Sequence, residues 1–168
     1  VEIDVQDKFP VHISTDVNNL GTENTGKNRW GIQVAHNNLL GLMDQAVGRF
    51  QLGAGTWAVG ASYDIPVHSS GTSLGFSYTH SSVNVGGPFK ALDVEGRAST
   101  YSIGLLQPVV RKPSIEITPN LGFDFKSVEN TILGAKAGHD ELRVLNAGVN
   151  LEMTDPWGKT YFPHTFSF

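Results

Sequence analysis

Residues 56–67 have the sequence TWAVGASYDIPV, in which two kinds of residue alternate. The odd-numbered positions from Trp57 to Val67 are apolar or aromatic, and the even-numbered positions from Ala58 to Pro66 are small, polar or charged. A β-strand imposes this period of two, because successive side chains point to opposite faces. The run is about ten residues long, the length that a tilted strand needs to cross a bilayer. This stretch therefore predicts a membrane-spanning strand with one lipid face and one wet face.

The same alternation recurs along the chain and predicts nine strands in all. Pro119 and Pro163 fall inside two of them, where proline removes a ladder donor, so we expect a local edge or bulge at each. The sequence thus predicts an all-β fold, an antiparallel transmembrane β-barrel or part of one. The further predicted strands cover residues 11–17, 30–34, 46–52, 73–79, 100–105, 115–126, 143–153 and 161–168.

Composition narrows the class of protein. The chain has 168 residues without a change of composition, so we treat residues 1–168 as one domain. It has 19 glycines, 39% hydrophobic residues, no cysteine and a net charge of -4. These values suit glycine-hinged strands, exclude disulfides and thiolate metal sites, and make a nucleic-acid partner improbable. Residues 1–10 have no leader pattern, so we expect a mature or truncated product.

The connections between the predicted strands alternate in character. Residues 20–29, 81–99 and 126–141 are long and polar, whereas residues 53–56 form a short exception in that series. The intervening connections are short turns, at residues 37–44, 68–72, 110–113 and 154–159. Long outer loops with short periplasmic turns are typical of outer-membrane barrels. The pattern therefore places the short turns on the periplasmic side.

The face opposite the apolar one is rich in small, polar and charged residues, which suits a hydrated lumen better than a dry core. Charges inside a spanning segment are costly unless they face water, so they mark this face. Arg143 is an exception, since its register puts it with Leu145, and we expect its side chain to reach the membrane interface. The candidate lumen-lining residues are His12, Ser14, Asp16, Gln33, Arg49, Gln51, Asp64, Glu116, Asp124, Lys126 and Asn150.

Aromatic residues lie mostly near the ends of the predicted strands. Amphipathic aromatic rings concentrate at the two membrane interfaces, where they form girdles. Ordinary strand propensity explains some of these positions equally well. The candidate girdle residues are Trp30, Trp57, Tyr63, Tyr78, Tyr101, Trp157 and Tyr161.

The residues offer little catalytic chemistry. His12 and Ser14 share one strand face, as in some outer-membrane lipid hydrolases, but the spacing is common by chance and the face is the one assigned to the lumen. The six histidines are dispersed without a zinc-binding spacing. We therefore expect no enzyme activity, no catalytic residue, no metal and no cofactor.

Several segments resemble one known family, the two-partner secretion transporters of the haemolysin-activator type. The resemblance is to the first part of their barrel, and it is distributed over nearly the whole chain. The matching segments are DVQDKFPVHISTDVNNLGTENTGKNRWG (4–31), NNLLGLMDQ (37–45), YDIPVHSSGTSLGFSYTHSSVNVG (63–86), LDVEGRASTYSIGLLQPVVRKP (92–113), LGFDFK (121–126) and GHDELRVLNAGVNLEMTDPWG (138–158).

The resemblance implies roughly half of a sixteen-stranded outer-membrane barrel that exports a large haemolysin-like or adhesin-like partner protein without nucleotide hydrolysis. Such proteins carry two POTRA domains ahead of the barrel, and we expect none in residues 1–168. The implied partners are membrane lipid, the secreted protein, and the remaining barrel strands or a second copy.

Nine strands is an odd number, whereas bacterial single-chain barrels have even counts. The chain is then a truncated barrel, or it closes with eight strands if one predicted strand is false. Two alternatives to the secretion pore remain open. One is a small closed outer-membrane barrel with a structural or lipid-hydrolase role, and the other is a soluble β-barrel or β-sandwich binding protein.

Overall fold

The computed structural model describes residues 9–154 and 161–167, and in these residues the chain is almost entirely β-strand. A 3-10 helix at Gly87–Leu92 is the one helical element there. The strands are β1 (Val11–Asn18), β2 (Arg29–Asn37), β3 (Gln45–Gly53), β4 (Thr56–Pro66), β5 (Ser73–Val85), β6 (Val94–Leu106), β7 (Val110–Lys112), β8 (Ile115–Ile132), β9 (Ala135–Thr154) and β10 (Tyr161–Ser167).

All strands belong to one antiparallel sheet. Its order is β1-β2-β3-β4-β5-β6-β8-β9-β10, so each long strand pairs with the next one along the chain, and the three-residue β7 pairs beside β8. Within the described residues, β1 and β10 each have a strand partner on one side only. The sheet therefore ends in two edges there, at β1 and at β10.

The nine predicted strands are all present, and the all-β antiparallel fold is confirmed. β7 is an addition, because the sequence predicts a turn over residues 110–113. Val110 and Lys112 pair with Ile117 and Ile115, continuing the ladder that β6 leaves at Leu106. A strand of three residues is too short for alternation to be visible in the sequence.

The expected long loop over residues 126–141 is wrong. β8 runs to Ile132 and β9 starts at Ala135, so only Leu133 and Gly134 lie between them, both with positive φ (52° and 72°). Two such residues make the tight turn whose twist matches a hairpin. The charged side chains that suggested a loop form cross-strand pairs instead, as Lys136 Nζ and Glu129 Oε2 do at 2.9 Å. Much of the expected loop over residues 81–99 is likewise strand, since β5 reaches Val85 and β6 starts at Val94.

One proline lies at a gap in the ladder and the other on an edge strand. The pairing of β6 with β8 ends at Asn120 and that of β7 with β8 begins at Ile117, so Pro119 occupies the gap between them. Pro119 is paired with Val149 on the β9 side, and its carbonyl accepts the Gln107 N–H at 3.1 Å on the other side. The N–H and C=O of a strand residue point to the same side, so the missing N–H of Pro119 faces the gap between β6 and β7 and costs no ladder bond. Pro163 lies in β10, which forms one edge of the sheet in the described residues.

The described residues contain no buried hydrophobic side chain. Large apolar side chains are exposed instead, among them Trp30 (63%) and Leu145 (70%). A water-soluble β-protein buries one face of each sheet in a core, so this sheet has the wrong distribution for that class. No helix among the described residues has the length and apolarity that crossing a bilayer demands.

Candidate functional surface

One face of the sheet carries small, polar and charged side chains, and we call it the polar face. Strand pairing joins its residues into rows, such as Ser14, Gln33, Arg49 and Gly60 on β1 to β4. A second row runs from His12 through Ser62 to Asp124. The register places all eleven candidate lining residues on the polar face: His12, Ser14, Asp16, Gln33, Arg49, Gln51, Asp64, Glu116, Asp124, Lys126 and Asn150.

A charged cluster crosses β1, β2 and β3 on the polar face. The Arg49 guanidinium donates to Asp16 Oδ1 at 3.0 Å and to Gln33 Oε1 at 3.5 Å. Gly31 lies between the strands that carry the ion pair, and a Cβ there would collide with the Asp16 carboxylate. The two charged side chains are 47% and 43% exposed, so the pair adds no more than about 1 kcal/mol to stability. Its main effect is to hold both charges against the sheet.

A shallow recess lies on the polar face across β4 to β9. Gly75, Gly104 and Gly122 are direct neighbours in one row, and Asp64 and Asn146 flank them. The recess has a volume of about 260 Å³ and is lined mainly by glycine, serine, aspartate and asparagine. The sequence alone does not reveal this recess, because three glycines on three strands come together only through the strand register.

Two further ion pairs lie on the polar face. Lys126 Nζ is 3.5 Å from Asp124 Oδ2, two residues along the same strand. Glu116 pairs with Arg111 of β7 at 3.2 Å, and Arg111 was not identified from the sequence because it lies in the unexpected strand. His12 and Ser14 are both exposed on β1. No hydrogen bond joins these two side chains in the described part of the chain.

The opposite face, which we call the apolar face, carries large exposed hydrophobic side chains. Tyr78, Tyr101 and Phe125 are direct neighbours on β5, β6 and β8, with ring centroids 4.8 and 6.4 Å apart. The Arg143 guanidinium lies 5.7 Å from the Phe125 centroid, on the same face as Leu145. The next row toward the β8–β9 hairpin tip is polar on this face, with His80, Ser99, Ser127 and Glu141. On β5 to β9 the polarity of this face therefore changes sharply beyond the aromatic row, whereas the same row continues on β2 to β4 with the apolar Ile32, Phe50 and Val59.

The other candidate girdle residues lie in different rows along the strands and do not form one continuous band. Trp30 is exposed on the apolar face, and the Trp57 ring lies 5.1 Å from that of His80. Tyr63 is also on the apolar face, paired with Ala46 and Phe76, but its hydroxyl is buried. Trp157 and the side chain of Tyr161 lie outside the described residues.

The turn between β2 and β3 is organised by Asp44, whose side chain is 1% exposed. Its carboxylate accepts backbone hydrogen bonds from Leu40 at 3.0 and 3.2 Å and from Leu42 at 3.3 Å. Burial opposes the charged form, but these bonds and the neighbouring Tyr63 hydroxyl outweigh it and hold the pKa of Asp44 below its ordinary value of 3.8.

We expect Asp44→Asn to weaken the barrel near neutral pH, with the difference from the unchanged protein disappearing in strong acid. A folded-state pKa below the unfolded one gives stability that is present above the unfolded pKa and lost as the pH falls through the folded pKa. The difference in urea midpoint between the unchanged protein and Asp44→Asn, measured in detergent micelles, should therefore narrow only below about pH 3.8. Asp140→Asn is the control, because it removes an exposed carboxylate that has no ion pair in the described residues. It should leave the urea midpoint unchanged at every pH. A gap that is constant with pH would show that the Asp44 charge is irrelevant.

An antiparallel sheet with one exposed apolar face, one polar face and no apolar core between layers is the wall of a transmembrane β-barrel. The chain belongs to the haemolysin secretion/activation protein family ShlB/FhaC/HecB, whose sequence model matches residues 1–168. The resemblance seen in the sequence is therefore confirmed. Family and fold together place the chain in the outer membrane.

Solved structures share the fold. CdiB from Escherichia coli matches with a TM-score of 0.80 and 18% identity, over 90% of this chain and 30% of that one. CdiB from Acinetobacter baumannii matches with a TM-score of 0.70 and 18% identity, over 94% of this chain and 32% of that one. BamA from Haemophilus ducreyi lacking POTRA domains 1-3 matches with a TM-score of 0.57 and 13% identity, over 94% of this chain and 32% of that one. The chain thus spans about a third of the length of these structures. No curated protein matches the sequence.

Proposed function

We propose that residues 1–168 form one barrel-wall domain of a pore through which a large partner protein crosses the outer membrane. The observation that carries this proposal is the contrast between the two faces of the sheet, in a chain of the haemolysin secretion/activation family. The exported partner is a haemolysin-like or adhesin-like polypeptide, and transport requires no nucleotide hydrolysis. The wall is a passive conduit, without a catalytic residue or cofactor.

The polar face lines the water-filled lumen. Most of its side chains are short or polar, with Leu142 and Val144 of β9 as exposed apolar exceptions, so the face keeps water in the pore and offers a passing chain few apolar contacts to hold it. The shared face of the charged residues supports this role, since charges inside a spanning segment need water. The lining residues that we propose are the eleven candidates that share the polar face, together with Arg111.

The apolar face contacts lipid. The row of Tyr78, Tyr101 and Phe125 marks one membrane interface on β5 to β8, because on these strands the same face becomes polar in the next row. Arg143 stacks on this row and extends its charge toward the headgroups. Unpaired backbone groups cost several kcal/mol each in lipid, so the edges at β1 and β10 pair with further strands, from the rest of the barrel or a second copy.

Ion conductance tests the pore. The protein in planar bilayers should form open channels whose ion selectivity depends on polar-face charges. Asp64→Lys replaces a carboxylate on this face with a cation and should lower the permeability of cations relative to anions.

Glu23→Lys is the matched control, because it makes the same charge change in the exposed loop between β1 and β2, where the side chain is 82% exposed. It should leave selectivity unchanged. The same selectivity in both variants would remove Asp64 from the lumen, and the absence of channels in a folded protein would contradict the pore itself.

A further inference from the structure

The short turn between β2 and β3 exposes apolar side chains. Leu39, Leu40, Leu42 and Met43 are 51%, 64%, 53% and 88% exposed, and Gly41 is the one other residue among them. Turns in contact with water are usually built from polar residues, glycine and proline. Four consecutive large apolar side chains around one glycine therefore need a partner that is itself apolar.

This turn also satisfies four of its own backbone N–H donors, those of Asn38, Leu40, Leu42 and Met43. The buried Asp44 carboxylate accepts the N–H groups of Leu40 and Leu42, and Asn38 Oδ1 accepts that of Met43 at 2.8 Å. The Asn38 N–H donates to the Asp44 carbonyl at 2.5 Å. A turn exposed to water could leave these donors to the solvent. In an apolar environment each unsatisfied donor costs several kcal/mol, so internal acceptors are required there.

The turn lies on the apolar side of the sheet. Asp44 precedes Gln45, a polar-face residue paired with Asp64, so alternation directs the Asp44 side chain to the apolar face. Tyr63, an apolar-face residue, has its buried hydroxyl beside this carboxylate and forms no hydrogen bond with any other described group. Leu40 and Leu42 hydrogen-bond to the same carboxylate. The turn therefore curls toward the face that meets lipid.

We propose that the β2–β3 turn is a membrane anchor, which inserts its four apolar side chains into the adjacent leaflet of the outer membrane. Its partner is phospholipid, and the turn continues the lipid-contacting surface of the apolar face beyond the end of the strands. The internal acceptors at Asp44 and Asn38 satisfy four backbone donors of the turn, which lowers the cost of its transfer from water to lipid. This inference rests on the proposed assignment of the apolar face to lipid.

Site-directed spin labelling tests the anchor, since residues 1–168 contain no cysteine. Single variants Leu40→Cys and Met43→Cys are labelled in the protein reconstituted in vesicles of phosphatidylethanolamine and phosphatidylglycerol. Collision with oxygen, which concentrates in lipid, is compared with collision with a water-soluble nickel chelate. Leu121→Cys on the apolar face is the lipid reference, and Thr22→Cys in the exposed β1–β2 loop is the water reference.

Both turn labels should show a ratio of oxygen to nickel collisions severalfold above that of Thr22→Cys and close to that of Leu121→Cys. Nickel access equal to that of Thr22→Cys would overturn the anchor. Shielding from both reagents would overturn it too, because a protein would then cover the turn.

Nickel access at Leu121→Cys would instead refute the lipid assignment of the apolar face, on which the pore proposal depends. Heat-modifiable migration on a gel checks that each labelled variant is folded. A variant that fails this check is replaced by Leu39→Cys or Leu42→Cys.

Discussion

Leu121→Arg is expected to destabilise the barrel by about 2–4 kcal/mol, the cost of an arginine on the lipid face near the bilayer midplane. Leu121 is 49% exposed on the apolar face. It lies near the middle of an outward series that runs along β8 from Ile115 to Phe125. Unlike Arg143, which stacks on Phe125 in the aromatic row, an arginine at position 121 starts four residues away from that row, toward the middle of the membrane. Urea unfolding in phospholipid vesicles, followed by the heat-modifiable band, measures the effect.

Asn120→Arg is the matched control, because the neighbouring residue carries the same new charge on the polar face. Asn120 pairs with Leu106 and Gly148 on that face, where water solvates an added guanidinium. The change should stay within about 0.5 kcal/mol, as for ordinary surface substitutions. Equal destabilisation by the two arginines would show that the faces do not differ in their contact with lipid.

The strands were predictable from the sequence because each contains its own alternation. In β3, Arg49 and Gln51 alternate with Phe50 and Leu52, and no information from a distant segment is needed to see it. Alternation also predicts which residues share a face once each strand is assigned. This explains why the eleven candidate lining residues lie on one face of the sheet.

The hairpin of β8 and β9 shows where local patterns fail. Glu129, Lys136 and His139 look like loop residues, since charges are depleted in strands. In the folded chain they lie side by side across the hairpin, with Glu129 Oε2 2.9 Å from Lys136 Nζ and 3.9 Å from His139 Nδ1. Beyond the aromatic row the apolar face needs no apolar residues, so hydrophobic alternation stops although the strands continue.

Contacts between strands were the other gap. The recess formed by Gly75, Gly104 and Gly122 depends on register across three strands, which no single strand contains. The same holds for the closeness of Arg49 and Asp16, which are carried by strands that do not pair directly. The sequence gives the charge and size of the side chain at each position, but it does not show which side chains from other strands lie beside it.

Gly104→Trp is expected to lower secretion of the partner protein severalfold while leaving the barrel folded. Gly104 lies in the middle of the recess, and the nearest atom to an added Cβ, the Leu121 carbonyl oxygen, is 3.9 Å away, so a Cβ fits there at ordinary van der Waals distance. The indole would extend from the polar face into the space that we propose as the route of the exported chain. Secreted partner in the medium and single-channel conductance should fall together.

Ile103→Trp separates a blocked route from a damaged barrel. Ile103 is the preceding residue of β6, 44% exposed on the apolar face, where an indole is compatible with lipid. This variant should secrete normally and keep its heat-modifiable migration. The two variants place the same indole on opposite faces of the sheet, and only the one at Gly104 projects into the proposed lumen. If Gly104→Trp folds and secretes as well as Ile103→Trp, the partner does not pass along this wall.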